Sequence, residues 1–306
     1  MDTRKSTSLL AILACLLWST AFAGIKYGLE YTQPLNFAGI RFFLSGLMLI
    51  PFSGNIKSYY AGFREKKKSV LLISLFQTFL LYTFFYIGIS MTPAAITAVI
   101  IGASPLFSAI IAHMYIRNDR MNLAKMSIIL TGLSGVIVIA LSRNEYSFSE
   151  GQEFWGIVIL VVGNVFGNIG NLLVATQRGE MNPVMLNSQQ IMLGGLGIFL
   201  LSLPFEGFDL NIRPAEYYIS LGWLSFMSAT AFSIWFILLK RPGVKMSELN
   251  IWKFIIPVFG AILSWLIIPG EEPEFFTVLG MILTSLSLVA LNLYNLKRTK
   301  KLTHVP

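Results

Sequence analysis

The two halves of this chain repeat each other, and each half carries an odd number of apolar runs long enough to cross a bilayer. Pro105-Leu106-Phe107-Ser108-Ala109-Ile110 matches Pro257-Val258-Phe259-Gly260-Ala261-Ile262 at an offset of 152. Ile129-Leu130-Thr131 and Leu133-Ser134 match Ile282-Leu283-Thr284 and Leu286-Ser287 at an offset of 153, and Pro34, Leu44, Gly46 and Leu47 match Pro183, Leu193, Gly195 and Leu196 at 149. The drift of a few residues is what loop insertions produce. Two halves with an odd number of spans must lie upside down relative to each other, an arrangement found in secondary transporters.

The bilayer requirement comes from composition. Hydrophobic residues make up 55% of the 306 and charged residues 12%, against about 25% charge in a soluble domain. Mean hydropathy is +0.69. The spacing predicts an all-α bundle of ten spans at about 7–28, 34–52, 69–90, 93–115, 122–142, 154–176, 183–205, 215–239, 247–268 and 275–296, each near the 20 residues that cross a hydrocarbon core. Residues 1–149 and 150–306 then form the two repeats.

Basic residues orient the spans. Of the 23 Lys and Arg, 18 fall on the side that holds both termini and the even-numbered loops, with clusters at Arg64 to Lys68 and Lys297 to Lys301. Three (Lys26, Arg143, Arg213) fall on the other side, and Arg41 and Lys253 lie within spans. Both termini are therefore expected in the cytoplasm, with a bacterial-type inner membrane as host. The net charge of +8 is a by-product of this topology, and no basic domain exists to bind nucleic acid. Arg4-Lys5, the run from Leu9 to Leu17 and Ala21-Phe22-Ala23 resemble a signal peptide with an A-x-A site. Cleavage there would destroy the repeat, so a retained first helix is expected.

Candidate functional residues are polar, aromatic or kink-forming positions inside spans. Pro105 and Pro257 sit at mid-span in matching places. Proline frees a backbone carbonyl, a defect tolerated in a membrane where protein or a cavity surrounds it, so the pair is assigned as hinges. Asn164, Asn168 and Asn171 share one face of the sixth span beside a stripe of Gly163, Gly167 and Gly170. The stripe suits close helix packing; the amides suit either a cavity wall or interhelical bonding. Arg41 lies about two turns inside the second span, where a charge costs roughly 2.5–3.5 kcal/mol on insertion scales. It serves either backbone carbonyls or an anionic group of a substrate, and Lys253 is ambiguous in the same way. Trp18, Tyr82, Tyr86 and Trp235 are deep aromatics, and Gln77 is a buried amide, all assigned to the pathway. Asn187, Gln189, Gln190 and His113 carry ordinary structural explanations.

Absences also constrain function. No carboxylate lies in a span core, which removes the usual carrier of proton or sodium coupling. No Walker A or HExxH spacing occurs, and the single Cys15 excludes an intramolecular disulfide or a multi-cysteine metal site. Neither a cofactor, a metal nor an enzymatic reaction is expected. The expected partners are a small-molecule substrate and the lipid bilayer, with the chain acting alone or as a homodimer.

Trp18-Ser19-Thr20-Ala21-Phe22 with Lys26, Arg41-Phe42, Ala103-Ser104-Pro105-Leu106-Phe107 and Pro257-Val258-Phe259 together resemble EamA-type proteins of the drug/metabolite transporter superfamily. The resemblance covers the chain as two tandem units. It implies an inverted-repeat basket with a central cavity lined by spans one, three, four, six, eight and nine, the fifth and tenth lying outside. It also implies a transporter of small polar metabolites, with export of amino acids the leading expectation. The rival reading is a non-transporting lipid-handling or assembly protein, for which a fully packed core is expected. Arg41-Phe42 corresponds to Gln190-Ile191 in the second half, so the site need not share the symmetry of the fold.

Overall fold

In a computed structural model, residues 3–107, 122–141, 151–176, 181–207, 211–242, 244, 249, 252–253 and 255–303 are described. His113, the end of the fourth span and the start of the ninth lie outside them. Twelve α-helices and no strand occur among the described residues: α1 (Thr3–Ser19), α2 (Ala21–Leu29), α3 (Pro34–Leu49), α4 (Ile56–Ile73), α5 (Leu81–Ser90), α6 (Ala94–Gly102), α7 (Leu123–Leu141), α8 (Gln152–Thr176), α9 (Pro183–Glu206), α10 (Ala215–Lys240), α11 (Ile255–Ile267) and α12 (Phe275–Thr303). Six continuous helical segments are long and apolar enough to cross a membrane, at 5–29, 34–52, 56–90, 152–176, 183–206 and 215–240; four shorter apolar ones, at 94–107, 123–139, 255–267 and 275–291, complete ten.

Local chemistry sets the ends. α3 and α9 open on Pro34 and Pro183, where the missing N–H costs nothing. Asn182 accepts from Val184 and Met185 to cap α9. Gly207, at φ +67°, ends the same helix in a conformation that a side chain would resist. One expectation needs correction: the polar stretch 53–68 is not simply a loop. Asn55 caps a helix that starts at Ile56 and runs into the third span, with one non-helical residue at Lys66 (φ −110°, ψ 22°).

The halves pack span against span, and the register shows their opposed directions. An added Cβ on Gly39 would meet Phe199, on Gly46 Met192, and on Gly195 Phe43, each within 2.6 Å. Numbers rise on α3 as they fall on α9, so these corresponding spans are antiparallel, and Gly46–Met192 is the repeat image of Phe43–Gly195. The seam exists because glycine lets backbones touch. The fourth and ninth spans cross in the same antiparallel sense at Gly102–Pro257 and Ala98–Gly260, and the fifth and tenth at Gly132–Ser287 and Ile139–Gly280. α5 against α8 (Gly88–Leu160, Phe84–Gly163) is mirrored by α2 against α10 (Gly24–Leu224). The molecule is an inverted-repeat bundle.

At the end of the bundle opposite the termini, carboxylates bridge the halves. Glu206 accepts from the backbone N–H groups of Leu35 (2.9 Å) and Asn36 (2.7 Å). Glu271 does the same for Ala94 (2.7 Å) and Ala95 (3.1 Å). Each anion sits on a helix N-terminus, where orphan donors and the helix dipole favour negative charge. Large apolar side chains such as Leu130, Leu200, Leu266 and Leu286 point outward, a coat that suits lipid rather than water.

Candidate functional site

Three of the spans that enclose the centre are interrupted there. The first breaks at Thr20, between α1 and α2. The third contains a π-helical stretch over Ser74–Leu80, a form that recurs at functional sites. The fourth turns at Ala103 and resumes at Ser104, immediately before Pro105, whose missing N–H cannot continue the ladder. Pro257 stands in the first turn of α11. An added Cβ on Gly102 would lie 2.3 Å from the Pro257 Cδ, so Pro257 packs on the fourth span three residues before Pro105.

The interruptions surround a cavity of about 100 Å³ lined by the first, third, fourth, sixth, eighth and ninth spans, with Arg41 reaching in from the second. Its wall includes Trp18, Gln77, Tyr82, Asn164, Asn171 and Trp235. It therefore gathers seven of the nine residues assigned to the pathway from sequence. The other two stand behind the wall: Tyr86 accepts from Arg41 (2.6 Å), and Asn168 donates to the Ser104 carbonyl (3.2 Å).

The amide face of α8 does two jobs. Asn164 donates to the Ile100 carbonyl at 2.7 Å, and Asn168 donates to Ser104 and to the Asn164 carbonyl. These amides satisfy backbone groups at the fourth-span break, as an interrupted helix in lipid requires. Asn171, one turn on, keeps a buried carbonyl oxygen with no partner. The Gln77 Oε1 and Trp18 Nε1 atoms are buried and unpartnered in the same way, and all three residues face the cavity. Buried polar atoms nearly always find a partner, so three orphans around one space point to something that enters it.

Arg41 is 2% exposed. Its Nε donates to the Leu224 carbonyl (3.3 Å) and to Ser228 Oγ (3.2 Å), and its two terminal nitrogens donate to Tyr86 Oη (2.6 Å) and Ser228 Oγ (2.7 Å). A guanidinium has five N–H groups, so two remain. The cation also lies 4.7 Å from the Phe42 ring centroid. Lys253, 5% exposed, has its ammonium 5.0 Å from the Trp235 ring centroid. A continuous series of aromatic contacts connects the two: Phe42–Tyr82 (4.1 Å), Tyr82–Phe232 (6.1 Å), Phe232–Trp18 (5.3 Å) and Trp18–Trp235 (5.2 Å). No residue lining the cavity is acidic.

Sequence reasoning missed Phe22, Phe85, Ser104 and Phe232 on the wall. Helical spacing was the available signal: Phe22 follows Trp18 by four residues, Phe85 follows Tyr82 by three, and Phe232 precedes Trp235 by three. Ser228, which orients Arg41, carries no sequence signal. Asn187, Gln189 and Gln190 lie off the cavity in interhelical bonds to Ser233, the Tyr59 carbonyl and Thr78.

An inverted ten-span bundle whose centre holds an aromatic-walled space reached by a few polar side chains is the architecture of a membrane transporter. The comparisons agree with that class. The model of the EamA-like transporter family matches residues 5–141 and again 154–293, and the chain belongs to that family. It is 25% identical over 286 residues to an uncharacterized transporter of Archaeoglobus fulgidus, covering 92% of this chain and 95% of the relative. It is 22% identical over 294 residues to the uncharacterized transporter YoaV of Bacillus subtilis, covering 94% and 97%. A solved structure described only as a crystal structure of a protein superposes with a TM-score of 0.66 at 16% identity, covering 94% and 98%; it shares the fold.

Proposed function

We propose that this transporter exports small polar metabolites, amino acids among them, by alternating access through the central cavity. The observation that carries the reading is the set of unpartnered buried polar atoms on Trp18, Gln77 and Asn171 around one central space. A bundle built only to be packed, as a lipid-handling or assembly subunit would be, has no reason to leave them. The 18-to-3 split of basic residues supports cytoplasmic termini in a bacterial-type plasma membrane. Residues 1–149 and 150–306 move as the rocking units, with hinges at Pro105 and Pro257. The absence of acidic residues from the cavity wall favours facilitated diffusion or exchange over a carboxylate-based proton pump.

The test is uptake and efflux in reconstituted vesicles with a panel of labelled amino acids and related metabolites. Flux of at least one compound above protein-free vesicles, abolished by Trp235→Ala, is the expected result. No flux for any compound would overturn the reading.

A further inference from the structure

The cavity wall carries two buried cations and no acid. Arg41 holds two N–H groups that the protein does not use. Lys253 has no hydrogen bond among the described residues, and its recorded ring contact is the face of Trp235. Neither pairs with a carboxylate among the described residues, and the lining residues include no acid. A buried charge without a counter-ion is expensive, and here there are two in one small space of low polarity. A second cation entering would meet like charges at close range, where repulsion is barely screened. A neutral zwitterion would leave the excess charge uncancelled. An anion cancels part of it.

Three further features narrow the ligand. Asn171 Oδ1 is an acceptor without a donor, so the ligand brings at least one N–H or O–H. Trp18 Nε1 is a donor without an acceptor, which suits a second anionic or carbonyl oxygen. The rings of Tyr82, Phe232, Trp18 and Trp235 line the cavity between the two cations, giving a flat apolar body a wall to lie against.

We infer that the substrate of this cavity is a net-negative organic acid that carries a hydroxyl or amino donor, its carboxylate answering Lys253 and Arg41. This deepens the transport reading and rests on it.

Three probes with one body separate the charge classes: phenyllactate (anion with a hydroxyl), phenylalanine (zwitterion) and phenylalaninol (cation). Binding is read as a shift in the thermal midpoint of the full chain in phosphatidylcholine nanodiscs, titrated with each probe. Phenyllactate is expected to bind about tenfold more tightly than phenylalanine, a difference of about 1.4 kcal/mol, with phenylalaninol silent. Lys253→Met should erase the preference and Lys253→Arg should restore it, with the ligand-free midpoint reporting whether each variant folds. The wild-type series stands without the variants. Phenylalanine binding as tightly as phenyllactate, any binding of phenylalaninol, or no binding of phenyllactate overturns the inference. Because binding is read without flux, a preference for phenyllactate stands even where no compound of the vesicle panel crosses, so the charge preference and the transport reading fail separately.

Discussion

At the scale of single residues, the three asparagines of α8 divide between support and contact, although they share one helix face. Asn168 is committed to Ser104 and to the Asn164 carbonyl, while Asn171 leaves its oxygen open. Asn168→Leu is therefore expected to lower stability by about 1–3 kcal/mol, the cost of stranding a buried carbonyl, read as a fall in thermal midpoint in detergent. Asn171→Leu should keep the midpoint and raise KM for the transported compound. The reverse pattern would mean that the two amides have been assigned to each other's roles. The face itself was legible in the sequence from the spacing of the three amides. Which amide served which purpose was not, because it depends on where the fourth span breaks. Arg41 makes the same point. Its depth was readable, but its anchoring by Ser228 from a span 187 residues away was not, since a lone serine in an apolar helix has many uses.

The spans themselves were legible because length and hydropathy dictate them. Their interruptions were only half legible. Pro105 announced one, in the fourth span, through the chemistry of a missing N–H. The π-helical stretch at Ser74–Leu80 and the break at Thr20 left no such mark, since both follow from how neighbouring spans press on the helix. An added Cβ at Gly170 would lie 2.3 Å from Gln77 Oε1, which shows how tightly the sixth span backs the π segment. At this scale the informative change is Pro257→Ala. It restores an N–H in the first turn of α11 and removes the ring that packs on Gly102. Turnover is expected to fall about tenfold, a barrier higher by about 1.4 kcal/mol, with KM nearly unchanged. Equal turnover would show that the kink is static and plays no part in a conformational step. The helix from Ile56 to Lys66 was misread as loop because its charges hide its period; Asn55 was the signal, as a cap ahead of it.

For the whole molecule, the carboxylates of Glu206 and Glu271 tie the two halves together at the end opposite the termini through four backbone N–H groups. Charge-assisted bonds are roughly twice as strong as neutral ones. Replacing both with glutamine keeps the shape, weakens the grip and should shift the population towards a form open at that end. A single reporter thiol, Ile25→Cys in a Cys15→Ser background, should then react several times faster with a membrane-impermeant reagent. An unchanged rate would show that these bonds do not hold that end shut. The α3–α9 seam sets what such opening can look like. Three glycines fix its register, with Gly39 against Phe199, Gly46 against Met192 and Gly195 against Phe43. Sliding the helices by a turn would drive side chains into backbone, and pulling them apart would abandon the glycine contacts that hold the seam. For the alternating access proposed above, what remains is rotation about the seam, as two boards turn on a pin. A pivot of that kind widens one mouth only by narrowing the other, so it leaves the waist between them almost constant. The largest molecule this protein can pass is then set by its waist and not by how far either mouth opens.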